Sequence, residues 1–291
     1  LNREGYETYG LVASLLMFAV ILLSALGTHK YIPQLRSPPE GQYPALGVML
    51  KRTWETVIEP SFGALFISAL FGALASGMSA SMSIYMSTFY WELDNREIAL
   101  VTSTLFGSAL FALWIAPRVS GALGKKRAAI SIGLCSAALA PMPYVLRMLG
   151  WFPVNGSSEL LYTLMLYQFL EVTLIISTAI LVDSMIADVV EQSQLRTGRR
   201  SEGVFFAARN FVRKSVSGIG VMMTTTLLTL VNFPRDAQPG TVDPETTWNL
   251  GLLYAPTLFT VYMATIIAIF AYRITQTVHE DNLRALRDGE V

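Results

Sequence analysis

Seven stretches of this chain, 9–27, 60–91, 98–116, 128–149, 160–187, 203–231 and 244–272, are each dominated by apolar residues over about twenty positions or more, the length of helix that crosses the hydrocarbon core of a bilayer. No water reaches that core, so the backbone of each stretch has to satisfy its own N–H and C=O groups, and a helix does so. The 291-residue chain is 53% hydrophobic and only 14% charged, a balance outside the soluble globular range. The expected fold is therefore all-α: a polytopic membrane protein of seven transmembrane helices whose first partner is the lipid bilayer. Asp243 and Pro244 suit the start of the last span, one as a cap and the other at a position where its missing N–H is not needed. Pro141 and Pro143 should kink or open the fourth span, since each removes a backbone donor.

Seven spans place the chain ends on opposite sides, and the basic residues choose the side. One set of connections holds fourteen Lys and Arg, among them Lys51, Arg52, Lys125, Lys126, Arg127, Arg196, Arg199 and Arg200, while the other holds four: Arg3, Arg96, Arg147 and Arg235. By the positive-inside rule the first set is cytoplasmic, which puts Leu1 outside and Val291 inside. The connection 28–59 is long and opens on a proline-rich loop, then carries Leu46, Leu50, Trp54, Val57 and Ile58 with Lys51, Arg52 and Glu55 on the other face. That spacing suits a helix lying at the membrane surface, or a linker helix packed on the protein. Residues 1–9 lack the charged and small-residue features of a signal peptide, and the chain begins with Leu, so it is expected to start within a longer protein.

Charge inside the spans carries the functional reading. Segment 203–231 contains Arg209, Arg213 and Lys214, and a cation at membrane depth costs on the order of 2.5–3.5 kcal/mol on insertion scales, so such residues usually line a path or bind a partner. At a hundred degrees per residue, Arg209, Asn210, Arg213 and Lys214 fall within about 140° of one another on the helix. By helical rise Lys214 lies roughly 16 Å deep and Arg209 about 9 Å; Arg209 can snorkel or pair near a helix end. Lys214 needs a counter-charge. Glu171 and Asp183, both in 160–187, lie at matching depths, which makes Glu171–Lys214 and Asp183–Arg209 the two candidate cross-helix pairs. Each pair can serve a solute path or simply hold the two helices together.

Segment 60–91 is rich in Gly, Ala and Ser, including Gly72, Ser76, Gly77, Ser79 and Ser83, so it is expected to be an interior helix, by close backbone packing or as a cavity wall with hydroxyls facing a solute. Tyr85, Tyr90 and Trp91 near its end are expected as interface anchors, and Trp114, Tyr162 and Tyr167 as core or belt residues. Cys135, the only cysteine, is expected as an inert buried thiol. His29 and His279 have no metal-ligand spacing, and there is no nucleophile motif, phosphate-binding glycine loop or zinc pattern. No enzyme activity, cofactor or metal is expected. Balanced charge, with 21 Lys and Arg against 21 Asp and Glu, gives no reason to expect nucleic acid.

The run MIADVVEQSQLRTGRRSEGVFFAARNFVRK, from Met185 to Lys214, resembles the glycoside-pentoside-hexuronide:cation symporters, the melibiose permease group of the major facilitator superfamily. In that family an Ala-Asp pair closes the tenth helix, a basic TGRR-like loop follows, and the eleventh helix carries a lysine important for transport; here these are similar to Ala187-Asp188, Thr197 to Arg200, and Lys214. Gly121 to Arg127 is a weaker echo of the loop between helices eight and nine. The resemblance implies that the seven spans correspond to helices 6–12 of a twelve-helix transporter: 1–27 belongs to the N-terminal half, 28–59 is the central cytoplasmic loop, 60–272 is the six-helix C-terminal half, and 273–291 is a cytoplasmic tail. The partner is then the missing N-terminal half, where the family keeps its coupling-cation site, so any coupling Na+ or H+ is expected to bind there.

The expectation is thus a fragment of a cation-coupled secondary transporter in the bacterial inner membrane, moving a sugar, sugar acid or related polar or anionic solute by alternating access. Lys214, Arg213, Asn210 and Glu171 are the candidate substrate and coupling residues, with Asp183, Asp188, Arg199, Arg200 and Arg209 as gate or charge-pair residues. Arg209 and Arg213 make the site more basic than a neutral sugar requires, and no sugar-stacking aromatic is evident around Ala179. The competing reading is a seven-helix receptor or retinal-type protein with a Schiff base on Lys214; two arginines beside the lysine are a poor setting for a protonated imine.

Overall fold

The computed structural model describes residues 3–34, 47, 60–197, 202–274 and 276–288. It divides into two units, Leu1–Val48 and Met49–Val291. The first holds α1 (Arg3–His29) and a short 3-10 turn, Ile32–Gln34; the apolar side chains of α1 are exposed on every face. The expected surface helix in 28–59 lies, but for 28–34 and Gly47, outside the described residues.

The second unit is a bundle of eight described helices: α2 (Pro60–Tyr85), α3 (Asn95–Leu123), α4 (Lys125–Leu139), α5 (Met142–Met148), α6 (Ser158–Thr197), α7 (Glu202–Leu230), α8 (Pro244–Phe270) and α9 (Gln276–Asp288). A single π-helical turn, Met86–Tyr90, extends α2. Among the described residues there is no strand. Six helical segments are long and apolar enough to cross a membrane: Glu7–His29, Pro60–Tyr90, Asn95–Leu123, Lys125–Met148, Ser158–Arg196 and Pro244–Phe270. The segment expected as a seventh span is a helix, α7, 29 residues long, but it is not among these six; Arg209, Arg213 and Lys214 make it more polar than they are.

Local chemistry explains most of the boundaries. Asp94 caps α3 by accepting from the Glu97 backbone N–H, and Glu97 accepts from the Asp94 N–H in return, a reciprocal capping box that satisfies two otherwise unpaired donors. Gly124, at φ +78°, joins α3 to α4 through a backbone conformation that residues with a Cβ avoid. The fourth span does break at its prolines: α4 stops at Leu139, and Pro141 sits at the start of α5. Pro244 takes the first position of α8 as expected, but Asp243 makes no side-chain cap. The largest departure is α6, whose 40 residues run about 60 Å, twice a hydrocarbon core of about 30 Å. It extends ten residues beyond the span expected from apolarity alone.

Two groups of buried side chains hold the bundle together. One gathers Phe62, Leu65, Ile132, Met185, Phe205 and Tyr272; the other gathers Met78, Met82, Tyr90, Trp91, Tyr144 and Tyr254. Helices α2 and α7 approach most closely: a Cβ at Gly77 would collide with the Ser217 carbonyl, and one at Gly220 would lie 2.5 Å from the Leu74 oxygen. Thr224 Oγ1 donates across the same crossing to the Met78 carbonyl at 3.2 Å.

Two expectations are corrected. Cys135 is exposed, because α4 turns that side away from the core. Tyr90 and Trp91 are buried, at 2% and 4% exposure, and are not interface anchors. The Tyr90 ring packs on Gly251, and the Arg147 guanidinium stacks over Tyr90 at 4.3 Å and Trp91 at 5.0 Å. Arg147 also donates to the Tyr90 carbonyl and to Asn155 Oδ1 at 3.0 Å, which ties the end of the π turn to the loop before α6.

Candidate functional site

A cavity of about 640 Å³ lies within the second unit, bounded by α2 through α8. One wall is α2, which presents Ser68, Gly72, Ser76, Ser79 and Ser83. Those residues recur three to four positions apart and so share one helix face, while Leu74, Gly77 and Met78 form the face against α7. The small residues of this segment therefore serve both of the purposes open from sequence: close packing on one side and a hydroxyl-bearing wall on the other.

Aromatic side chains close the remaining walls. Trp91, Tyr144, Tyr167, Tyr254 and Tyr262 line the cavity with Gln168 and Glu171. Tyr144 and Tyr254 meet edge to face, with ring centroids 5.2 Å apart. These tyrosines were not legible as a set, because they come from three helices far apart in sequence; the serine periodicity of α2 was the one signal that could have found a wall. Tyr167 is a cavity residue as well as a core residue, whereas Trp114 and Tyr162 are exposed, as a belt requires.

Arg209 and Arg213 bring positive charge to the cavity. Arg209 pairs with Asp183 at 2.6 Å, one of the two cross-helix pairs expected from depth. The other pair is not formed. Glu171 is buried at 8% exposure on the tyrosine side of the cavity, while Lys214 is exposed, is absent from the cavity lining, and has no ion pair among the described residues. The rotation of α7 carries Lys214 to a face away from the cavity lining. Asn210 and Arg213 are exposed beside it, and Arg213 alone of the three also borders the cavity. Ser76, Ala80 and Ser83 of α2 are exposed cavity residues too, so the cavity opens on this side.

The extension of α6 holds a second cluster. Asp188, buried at 4% exposure, receives Lys125 Nζ at 2.5 Å on Oδ1 and the Tyr272 hydroxyl at 3.4 Å on Oδ2. His279 of α9 places Nδ1 3.3 Å from Asp188 and 3.0 Å from Glu191. Lys126 donates to the carbonyls of Phe270 and Tyr272 at 2.8 and 2.5 Å, satisfying orphan acceptors at the end of α8. The Gly121 to Arg127 segment thus ties α4 to α6 and α8. Asp188, Glu191 and His279 could together reach one metal ion, an arrangement that spacing along the chain does not show; the Lys125 ammonium already supplies a cation there. Arg199 and Arg200 lie outside the described residues.

A bundle of membrane-length helices around a polar, aromatic-lined cavity that opens on one side is the architecture of an integral membrane protein. Residues 1–276 match the family model for MFS/sugar transport proteins, so the chain belongs to that branch of the major facilitator superfamily, a family of transporters. An uncharacterized symporter of Synechocystis is 28% identical over 214 residues, which cover 72% of this chain and 37% of that relative. The chain thus spans well under half the length of the curated relative it matches.

Proposed function

We propose that this chain forms the C-terminal portion of a cation-coupled symporter of the melibiose permease type. It carries a sugar acid, or a related polar anionic solute, across the bacterial inner membrane by alternating access. The observation that carries this reading is the cavity. Five aromatic side chains offer apolar faces to a ring, serine hydroxyls and Gln168 offer hydrogen bonds, and Arg213 offers charge, a combination suited to a small polar ligand. Because Arg209 is already neutralised by Asp183, Arg213 is the cation available to a solute carboxylate. The aromatic lining removes the objection to a sugar that the sequence around Ala179 raised.

The exposed face bearing Asn210, Arg213 and Lys214 is then the surface that meets the other half of the transporter, with helices α2 to α8 as one rocking unit and Lys214 positioned toward either the solute or a carboxylate of the partner half. In this reading the spans follow the order of helices 6–12, with 1–27 in the N-terminal half, 28–59 as the central loop, 60–272 as the C-terminal half and 273–291 as the tail. Leu1 faces outward and Val291 the cytoplasm. Asp188, with Arg199 and Arg200, belongs to the cytoplasmic gate, its closed state secured by Lys125 and Tyr272.

The test is uptake of radiolabelled glucuronate and galactose into proteoliposomes carrying the full-length transporter. Glucuronate uptake above that of empty liposomes, and at least about tenfold weaker in Arg213→Gln, is expected for the loss of a charge-assisted contact. Equal rates for the two proteins, or galactose preferred over glucuronate, would overturn the assignment of Arg213 to an anionic solute.

A further inference from the structure

Arg147 counts by sequence among the cations of an outer connection, yet the fold turns it inward against the end of α2. There the helix widens into its π turn, with the Trp91 N–H reaching the Met86 carbonyl at 2.8 Å, a local form found frequently at functional sites. The Tyr90 carbonyl beside it accepts from Arg147 and from Asn155 Nδ2 at 3.2 Å, and the same guanidinium lies over the Tyr90 and Trp91 rings. One planar cation thus fixes both the backbone and the rings at this point. Arg147 does not itself line the cavity, but Ser87 and Trp91, one turn apart, do, as does Tyr144 from the start of α5. Trp91 and Tyr144 are buried, at 4% and 6% exposure. Even so, the indole N–H and the hydroxyls of Tyr144 and Ser87 have no hydrogen-bond partner among the described residues, and none of the three is sealed away from the cavity. Buried polar groups are nearly always paired, so three open ones along one stretch of wall mark a place for a ligand.

These groups stand far from Arg213. Helices α2 and α7 run side by side in the same direction: Phe62 meets Phe205 at one end, with ring centroids 4.7 Å apart, and Phe89 meets Phe233 at the other, at 5.1 Å. That register sets Arg213 level with Ala69 and Leu70 of α2, about twenty residues and so roughly 30 Å short of Trp91. One sugar acid cannot touch both. No cation lines the outer end of the cavity, so a carboxylate finds no partner there, whereas uncharged hydroxyls find donors, acceptors and ring faces. We propose that this outer end is a second solute subsite, which takes a neutral hydroxylated ring, and that Arg147 is the residue that positions it. The Trp91 Nε1–H donates to a hydroxyl oxygen of the ring, and the Ser87 and Tyr144 hydroxyls donate or accept beside it. The subsite stands on the structure of the cavity; its place on a solute path rests on the transport reading above.

Binding of radiolabelled galactose, glucose and xylose to the full-length transporter in lipid nanodiscs tests the subsite. At least one of the three should bind, and a saturating concentration of glucuronate should leave most of it bound. Trp91→Phe keeps a ring and loses the N–H, so it should bind that sugar about tenfold more weakly, as for one hydrogen bond lost. Ser87→Ala should weaken binding by about the same factor, and it decides the matter if Trp91→Phe does not fold. No binding of any of the three sugars, wild-type affinity in the folded variants, or full displacement by glucuronate would overturn the proposal. The positioning role has its own readout. The sugar should shift the indole N–H band in ultraviolet resonance Raman spectra of the wild type, and Arg147→Gln should lose that shift; Arg147→Lys, which keeps the charge without the planar fork, decides it if the glutamine variant does not fold. A shift retained in the folded variant would remove Arg147 from the role. Absence of glucuronate uptake in the wild type would refute the solute assignment made above and leave the sugar-binding result standing.

Discussion

Asp183 and Arg209 show what a single residue contributes when it sits part-way into a membrane. The pair is close, at 2.6 Å, with Arg209 more buried than Asp183. Removing one partner strands the other charge, an effect between the small value of an exposed pair and the several kcal/mol of a buried one. Asp183→Asn is therefore expected to destabilise the protein by about 1–3 kcal/mol, read as a lower melting temperature in detergent, and the charge-swapped double variant should recover part of it. Lys214→Ala is expected to reduce solute uptake at least about tenfold while leaving the amount inserted in the membrane unchanged; wild-type uptake by that variant would remove Lys214 from the path. Both cations and both carboxylates were legible from sequence as charges at membrane depth. Which carboxylate met which cation was not, because rise along a helix gives depth, whereas partnership depends on how two helices are rotated.

At the scale of elements, the crossing of α2 and α7 is the most demanding contact. Gly77 and Gly220 allow the two backbones to touch, as small residues do where membrane helices associate closely. A methyl group at either site meets backbone atoms, which cannot swing aside as a side-chain end can. Gly77→Ala or Gly220→Ala should cost about 1–3 kcal/mol or more through overpacking. Gly218→Ala is the matched control: a Cβ there meets nothing within 4 Å, so it should be neutral or slightly stabilising through helix propensity, by up to about 1 kcal/mol. Thermal denaturation of the three variants checks the contrast, and equal behaviour would show that the crossing is looser than described. The small residues and the proline break were visible in the sequence, since both follow from the local chemistry of one segment. The length of α6 was not, because seven of its last ten residues are polar, and this stretch is held by Lys125, Tyr272 and α9 and by the burial of Val189 and Val190 rather than by lipid.

For the molecule as a whole, the question is which side of the bundle faces the solute. Cysteines placed at Ser83 and Lys214, in a Cys135→Ser background, should react with a water-soluble maleimide in membranes. A cysteine at Leu166, 60% exposed on an apolar side, should react only with a lipid-soluble reagent. Reaction of the Ser83 and Lys214 positions with the lipid-soluble reagent alone would mean that the face bearing Asn210, Arg213 and Lys214 borders lipid and not a polar path. The sequence alone determined that this is an all-helical membrane protein, where its helices begin and break, and that its third-last described helix carries uncommon charge, because burial in a bilayer imposes apolarity and backbone self-satisfaction on each segment separately. Only the tertiary structure decided that four tyrosines from three helices border the same cavity as Glu171, that Lys125 holds Asp188, and that Lys214 stands apart from the cavity lining, because those relations depend on the rotation and tilt of helices whose facing surfaces are hundreds of backbone atoms apart along the chain.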